Sequence, residues 1–145
     1  MYSMNRITFR YPASWRLLSP SASSLIFLYS PDFKDDGGIQ IQKIQQGARI
    51  TISQTDLPQK DLTAENYGSN GLLYQPDATD GKVVVINGRR AFQFRQPGPR
   101  WFDSTVTIFF RDDGTRVEVA MEYPSGHPAA QVAEYDQLLA SLAYQ

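Results

Sequence analysis

The chain opens on alternation. In RITFRY, Ile7, Phe9 and Tyr11 fall on one face and Arg6, Thr8 and Arg10 on the other, the period-two signature of a half-buried strand. Pro12 withdraws a ladder donor and starts a turn. Trp15 is then placed to fold back as a largely buried corner plug. SLIFLYS (24–30) is apolar on both faces and predicts a central strand, and PDFKDDGG is turn chemistry. GIQIQKI (38–44) and ARITISQT (48–55) alternate again, with Ile39, Ile41, Ile50 and Ile52 inward. At Asp61 the pattern changes. DLTAENYGSNGLL lacks β-branched alternation and offers Asp61 or Thr63 as an N-cap, predicting a short helix over Thr63–Ser69.

A meander follows. KVVVI, RRAFQF, WFDSTVTIFFR and TRVEVAMEY are strand-like and are joined by Asn87-Gly88, by QPGPR and by Asp113-Gly114; Asn-Gly is the strongest short hairpin signal. After PSGHPAA, Pro128 suits the first position of a helix. Val132, Tyr135, Leu139 and Leu142 then recur at helical spacing, which predicts an amphipathic C-terminal helix. About seven or eight strands with two helices predict an α+β fold: a central, mostly antiparallel β-sheet flanked by helices, an α/β/α sandwich. The expectation is a single domain over residues 1–145, a length that buries roughly 70% of the unfolded chain's surface.

Composition narrows the function more than it identifies it. A net charge of −1 gives no global field to draw nucleic acid or anionic lipid. The absence of cysteine removes disulfides, thiolate metal sites and thiol nucleophiles. No apolar run approaches a membrane span. MYSMNR lacks the pattern of a leader peptide and leads almost at once into a strand, as expected of a fragment of a longer precursor.

Two parts of the chain carry a family resemblance. One is Tyr11-Pro12 with Trp15, followed by SLIFLYS. The other runs from RWFDSTVTIFFRDDGTRVEVAMEY to a terminal helix ending in LLASLAY, with Tyr144 near its close. Together they resemble the PsbP-like superfamily of α/β/α sandwiches, which also holds bacterial extracytoplasmic domains and Ran-binding Mog proteins. The resemblance implies a non-catalytic accessory or binding domain, extracytoplasmic, with no catalytic residue, cofactor or metal to carry over. The lipid-anchor cysteine common in such bacterial precursors is absent. The alternative is a cytoplasmic hydrolase working through carboxylates or His127.

Chemistry-bearing motifs are sparse. DFKDDG places Asp32, Asp36 and Gly37 at the first, fifth and sixth positions of an EF-hand-like loop, but Lys34 and Lys43 stand where acidic ligands belong. The lone histidine, His127, precedes Pro128 and reads as an N-cap or loop residue. No phosphate-binding glycine motif occurs. The stretch from Lys82 to Trp101 holds Lys82, Arg89, Arg90, Arg95 and Arg100 without an acid. Strand parity separates Arg89, Gln93 and Arg95 from Phe92 and Phe94, which argues against a base-stacking platform. The arginine face is expected near Glu118 and Glu122. For an interaction surface the candidates are Asp32, Asp35 and Asp36 in one loop and Arg95, Arg100 and Trp101 around another, with an unidentified protein as partner. The competing and preferred reading of Trp101 packs it under a helix.

Overall fold

The computed structural model describes residues 2–4, 7–19, 25–37, 43–55, 62–68, 77–98, 101–112 and 114–144. The predicted strand over 38–44 lies outside them except at its end, as do Arg100, Ser69 and Asp113.

The meander forms as its turns dictate. Strands β8 (Thr79–Ile86), β9 (Arg89–Gln96), β10 (Asp103–Phe110) and β11 (Arg116–Tyr123) pair antiparallel in chain order. Asn87 and Gly88 both take positive φ, 50° and 77°, the geometry of a two-residue hairpin turn. Beyond β11 the sheet continues through β7 (Arg49–Thr55), β4 (Leu25–Tyr29) and the edge strand β3 (Arg16–Leu18), giving seven strands in the order β3-β4-β7-β11-β10-β9-β8. A two-stranded ribbon, β5 (Lys34–Asp35) and β6 (Ile44–Gln46), leads into β7.

Alternation sorts the side chains into two cores. On one face Ile26, Leu28, Ile50, Ile52, Val119 and Met121 pack with Tyr135, Leu138 and Leu139 of helix α2 (Val132–Ser141). On the other, Phe92, Phe94, Val106 and Ile108 pack with Leu62, Ala64 and Tyr67, the last two from helix α1 (Ala64–Tyr67). The result is the predicted sandwich, helix on sheet on helix.

Three details depart from expectation. The first alternating strand, β2 (Ile7–Phe9), buries Ile7 and Phe9 fully but stands outside the main sheet. It pairs with β1 (Tyr2–Met4) and with β12 (Ala143–Tyr144). Second, α2 begins at Val132, not at Pro128. Gly126 at φ 77° and the His127 N–H donated to the Pro124 carbonyl (3.3 Å) spend these residues on a turn. His127 is therefore not an N-cap, and Val132 is 48% exposed, off the buried stripe. Third, β4 has neighbours on both sides, yet Phe27 and Tyr29 are only half-buried, because no helix covers their side of the sheet among the described residues.

Tyr135 fastens α2 to the sheet. Its hydroxyl lies 2.7 Å from the Val119 carbonyl, 3.2 Å from the Thr105 carbonyl and 2.8 Å from Thr107 Oγ1. Burial pushes its phenol far above the usual range, so it stays neutral. Helix α1 depends on its cap. Asn66 N–H donates to Thr63 Oγ1 (3.3 Å) and Thr63 N–H donates to Asn66 Oδ1 (2.9 Å), a reciprocal capping arrangement. Thr63→Ala is expected to cost about 1 kcal/mol in urea unfolding, and Thr63→Ser to cost little. No helix among the described residues is long and apolar enough to cross a membrane.

Candidate functional site

On the uncovered face, strand register lays out one row of residues. Arg16 stands opposite Tyr29, Tyr29 opposite Arg49, and Arg49 opposite Glu122. One row along, Leu18 stands opposite Phe27 and Phe27 opposite Thr51. The alternation that sends Ile26, Leu28, Ile50 and Ile52 toward α2 puts these residues on the opposite face, where Arg16 and Leu18 are exposed and the Arg49 and Glu122 side chains are largely buried.

The row is organised by rings and guanidinium groups. Arg16 lies over the Tyr29 ring at 5.0 Å. Arg49 lies within reach of two rings, Phe27 at 5.8 Å and Phe102 at 5.5 Å. Phe27 stacks along Tyr29 at 6.3 Å, and Tyr29 meets Phe33 edge-on at 4.9 Å. These are attractive cation–ring and ring–ring geometries. Arg49 also donates through Nε (3.2 Å) and Nη2 to the same oxygen, Oε2, of Glu122. Burial pushes the Glu122 carboxyl above its ordinary value, and the Arg49 guanidinium pulls it back part of the way.

The β5–β6 ribbon borders this face. With Arg16 and Tyr29 it frames an open depression of about 480 Å³ lined also by Phe33, Lys34, Asp35 and Gln45. Ile44 N–H donates to the Trp101 carbonyl at 3.0 Å, which ties the β9–β10 loop to the ribbon. Asp32, Asp35, Asp36 and Trp101 therefore share one end of the molecule. Trp101 is 38% exposed rather than packed under a helix.

The three aspartates serve the chain itself. Asp32 Oδ1 accepts from the Ser30 hydroxyl (2.7 Å), Asp35 from Gly37 N–H (2.9 Å) and Asp36 from Lys43 N–H (3.0 Å). Gly47 closes on the same corner at φ 77°, where a Cβ would stand 2.5 Å from Ser30 Oγ and 2.8 Å from Asp32 Oδ1. Among the described residues no three His, Cys, Asp or Glu side chains are grouped to hold a metal ion.

Arg95 does not join this surface. It lies on the α2 side of the sheet, where its Nη1 is 4.0 Å from Asp80 Oδ2. The expected approach of the arginine face to Glu118 and Glu122 is likewise corrected. Glu122 pairs with Arg49, while Arg90, on the opposite side of β9 from Arg95, pairs with Glu65. Arg100 lies outside the described residues, and His127 stands exposed on its turn.

No protein-family model and no curated protein sequence matches the chain. Solved structures do. A crystal structure from Bacteroides thetaiotaomicron aligns over 97% of this chain with a TM-score of 0.63 at 14% identity. The match spans 45% of the Bacteroides chain, so this chain is about half its length. The solution structure of cyanobacterial PsbP (CyanoP) from Synechocystis aligns over 92% of this chain and 94% of its own, with a TM-score of 0.46 at 10% identity. At 14% identity the likeness to the Bacteroides structure concerns the fold alone.

Proposed function

We propose that the protein is a non-catalytic accessory domain that docks a protein partner, outside the cytoplasmic membrane, through the uncovered face of β3, β4 and β7. The observation that carries this reading is the exposed Arg16 guanidinium laid over the half-buried Tyr29 ring, held from beneath by the largely buried Arg49–Glu122 pair of the same cross-strand row. Interfaces are enriched in Arg and aromatic side chains at their centres, and truncating such residues removes most of the binding energy. Rings already locked against guanidinium groups lose little further rotamer freedom on docking. Exposed Leu18 and Trp101, at 52% and 38%, supply apolar contact area at the margins. The extracytoplasmic location is supported by the sequence resemblance.

The test uses a photo-crosslinking residue at Leu18 in the full-length protein expressed in its own cells. The control carries it at Asp136, exposed on α2. One discrete adduct from position 18, missing from position 136 and lost on adding Arg16→Glu, is expected in the extracytoplasmic fraction. Equal adducts from both positions, or none, overturn the docking face. An adduct confined to the cytoplasm overturns the location alone.

A further inference from the structure

The other side of the sheet holds a second concavity, independent of the docking face. The register of β8 with β9 shifts between Thr79 and Lys82. Asp80, inside that shift, holds φ at 58°, a left-handed backbone that few non-glycine residues adopt. Irregularities of this kind bend a strand and re-aim its side chains. Here the distortion borders a depression of about 420 Å³ lined by Asp80, Lys82, Gln93, Arg95 and Thr105.

Register places these groups on one face. Lys82 stands opposite Gln93, and Arg95 stands opposite Thr105. The polar floor is fixed from below. Gln93 Nε2 donates to Thr107 Oγ1 at 3.0 Å, and Thr107 is bonded in turn to the buried Tyr135 hydroxyl. Thr105 Oγ1 lies 3.4 Å from the Tyr123 hydroxyl. The rim carries two cations, Lys82 and Arg95, with Asp80 beside them; the Tyr123 hydroxyl bonds the Arg95 guanidinium, and Asp103 also lies within electrostatic reach of it. The Arg95–Asp80 contact is 4.0 Å long, with side chains 56% and 68% exposed, so it is weak and easily exchanged.

We propose that this depression binds a small organic oxyanion, a carboxylate or a phosphate, between Arg95 and Lys82. The guanidinium fork takes two oxygens of the ligand, Lys82 supplies the second charge, and Gln93 and Thr105 offer neutral polar contacts. Asp80 competes with the ligand for Arg95 and gives way when it binds.

Isotope-labelled protein is titrated with inorganic phosphate and, separately, with succinate at constant ionic strength, and amide shifts are read. Saturable shifts at Gly81, Lys82, Gln93, Arg95 and Thr105 are expected with at least one probe. Saturation by phosphate alone assigns a phosphate ligand, and by succinate alone a carboxylate. Arg95→Gln is expected to weaken binding by roughly tenfold or more, the loss of a charged hydrogen-bonding group, and Lys82→Gln by a smaller factor. Asp80→Asn is expected to tighten it. Absence of saturation with both probes, unchanged affinity in both Arg95→Gln and Lys82→Gln, or weaker binding in Asp80→Asn overturns the proposal. These outcomes do not bear on the docking face.

Discussion

Trp15→Ala is expected to lower the free energy of unfolding by about 3–5 kcal/mol, the range for deleting a large core aromatic. Trp15 is 6% exposed and belongs to the same core as Ile7, Phe9, Ile26 and Leu28. Its N–H donates to the Pro12 carbonyl at 3.0 Å, so the turn that ends β2 also sets the ring against the core. The chain then passes directly into β3, where Arg16 faces Tyr29. A cavity at position 15 therefore loosens the join between the small sheet and the edge of the large one. Urea unfolding is the measurement, and Tm is expected to fall on the order of 10 °C. Trp15→Phe is expected to recover most of the loss. A wild-type midpoint for Trp15→Ala would show that the indole is not a core plug.

Arg49→Ala is the second large effect, again about 3–5 kcal/mol at neutral pH, because it strands a buried carboxylate. The side chains of Arg49 and Glu122 are only 11% and 9% exposed. The loss has a distinctive pH signature. With Arg49 gone, little offsets the burial that already raises the Glu122 carboxyl above its ordinary range. A carboxyl with a folded pKa above its unfolded one binds its proton more tightly when folded. Its favourable contribution is complete below the unfolded pKa and is lost as pH rises through the folded pKa. Arg49→Ala is therefore expected to be least destabilised relative to wild type near pH 4.5 and most destabilised at pH 7 and above. Adding Glu122→Leu is expected to abolish the pH difference and restore part of the stability, since no buried carboxylate is left unpaired while the space of the Arg49 side chain stays unfilled. A deficit independent of pH would mean that ring contacts with Phe27 and Phe102, rather than charge, hold Arg49 in place.

The fold was legible wherever a local rule had one solution. Asn87-Gly88 fixed a hairpin, the alternation in TRVEVAMEY fixed which side chains face α2, and Tyr11-Pro12 with Trp15 marked a corner. The pairing of β2 was not legible, because alternation says which side is buried and is silent about the neighbouring strand. The start of α2 was not legible, because Pro128 is as compatible with a turn as with a first helical position, and Gly126 at positive φ sets the turn. The charge partners of β9 needed the register of β11, one strand removed, and that register puts Glu118 and Glu122 on the side opposite Arg95.

The candidate surface was legible in part. The loops bearing Asp32, Asp35, Asp36 and Trp101 meet as neighbours, but their aspartates are occupied with backbone and hydroxyl donors. Arg16, Tyr29 and Arg49 were not legible as a group. The signal for Arg49 was present, since it immediately precedes the inward Ile50 and must face the other way. What the sequence lacked was the knowledge that, among the described residues, no helix covers this side of β4. A run such as LIFLY reads as buried on both sides, and only assembly shows one side open.

The strand that Ile7 and Phe9 occupy also constrains how the protein is made. Thr8 finds its second neighbour in Ala143, and Arg10 N–H meets Ser141 Oγ (2.8 Å) across 131 positions of chain. During translation the meander strands are all available well before residues 141–144 emerge. At bacterial-to-eukaryotic elongation rates the segment from Phe9 to Ala143 takes on the order of ten seconds to synthesise. Through that interval two fully apolar side chains wait without their final lid, a natural target for a holding chaperone. Closure of the small sheet is therefore expected to follow assembly of the meander.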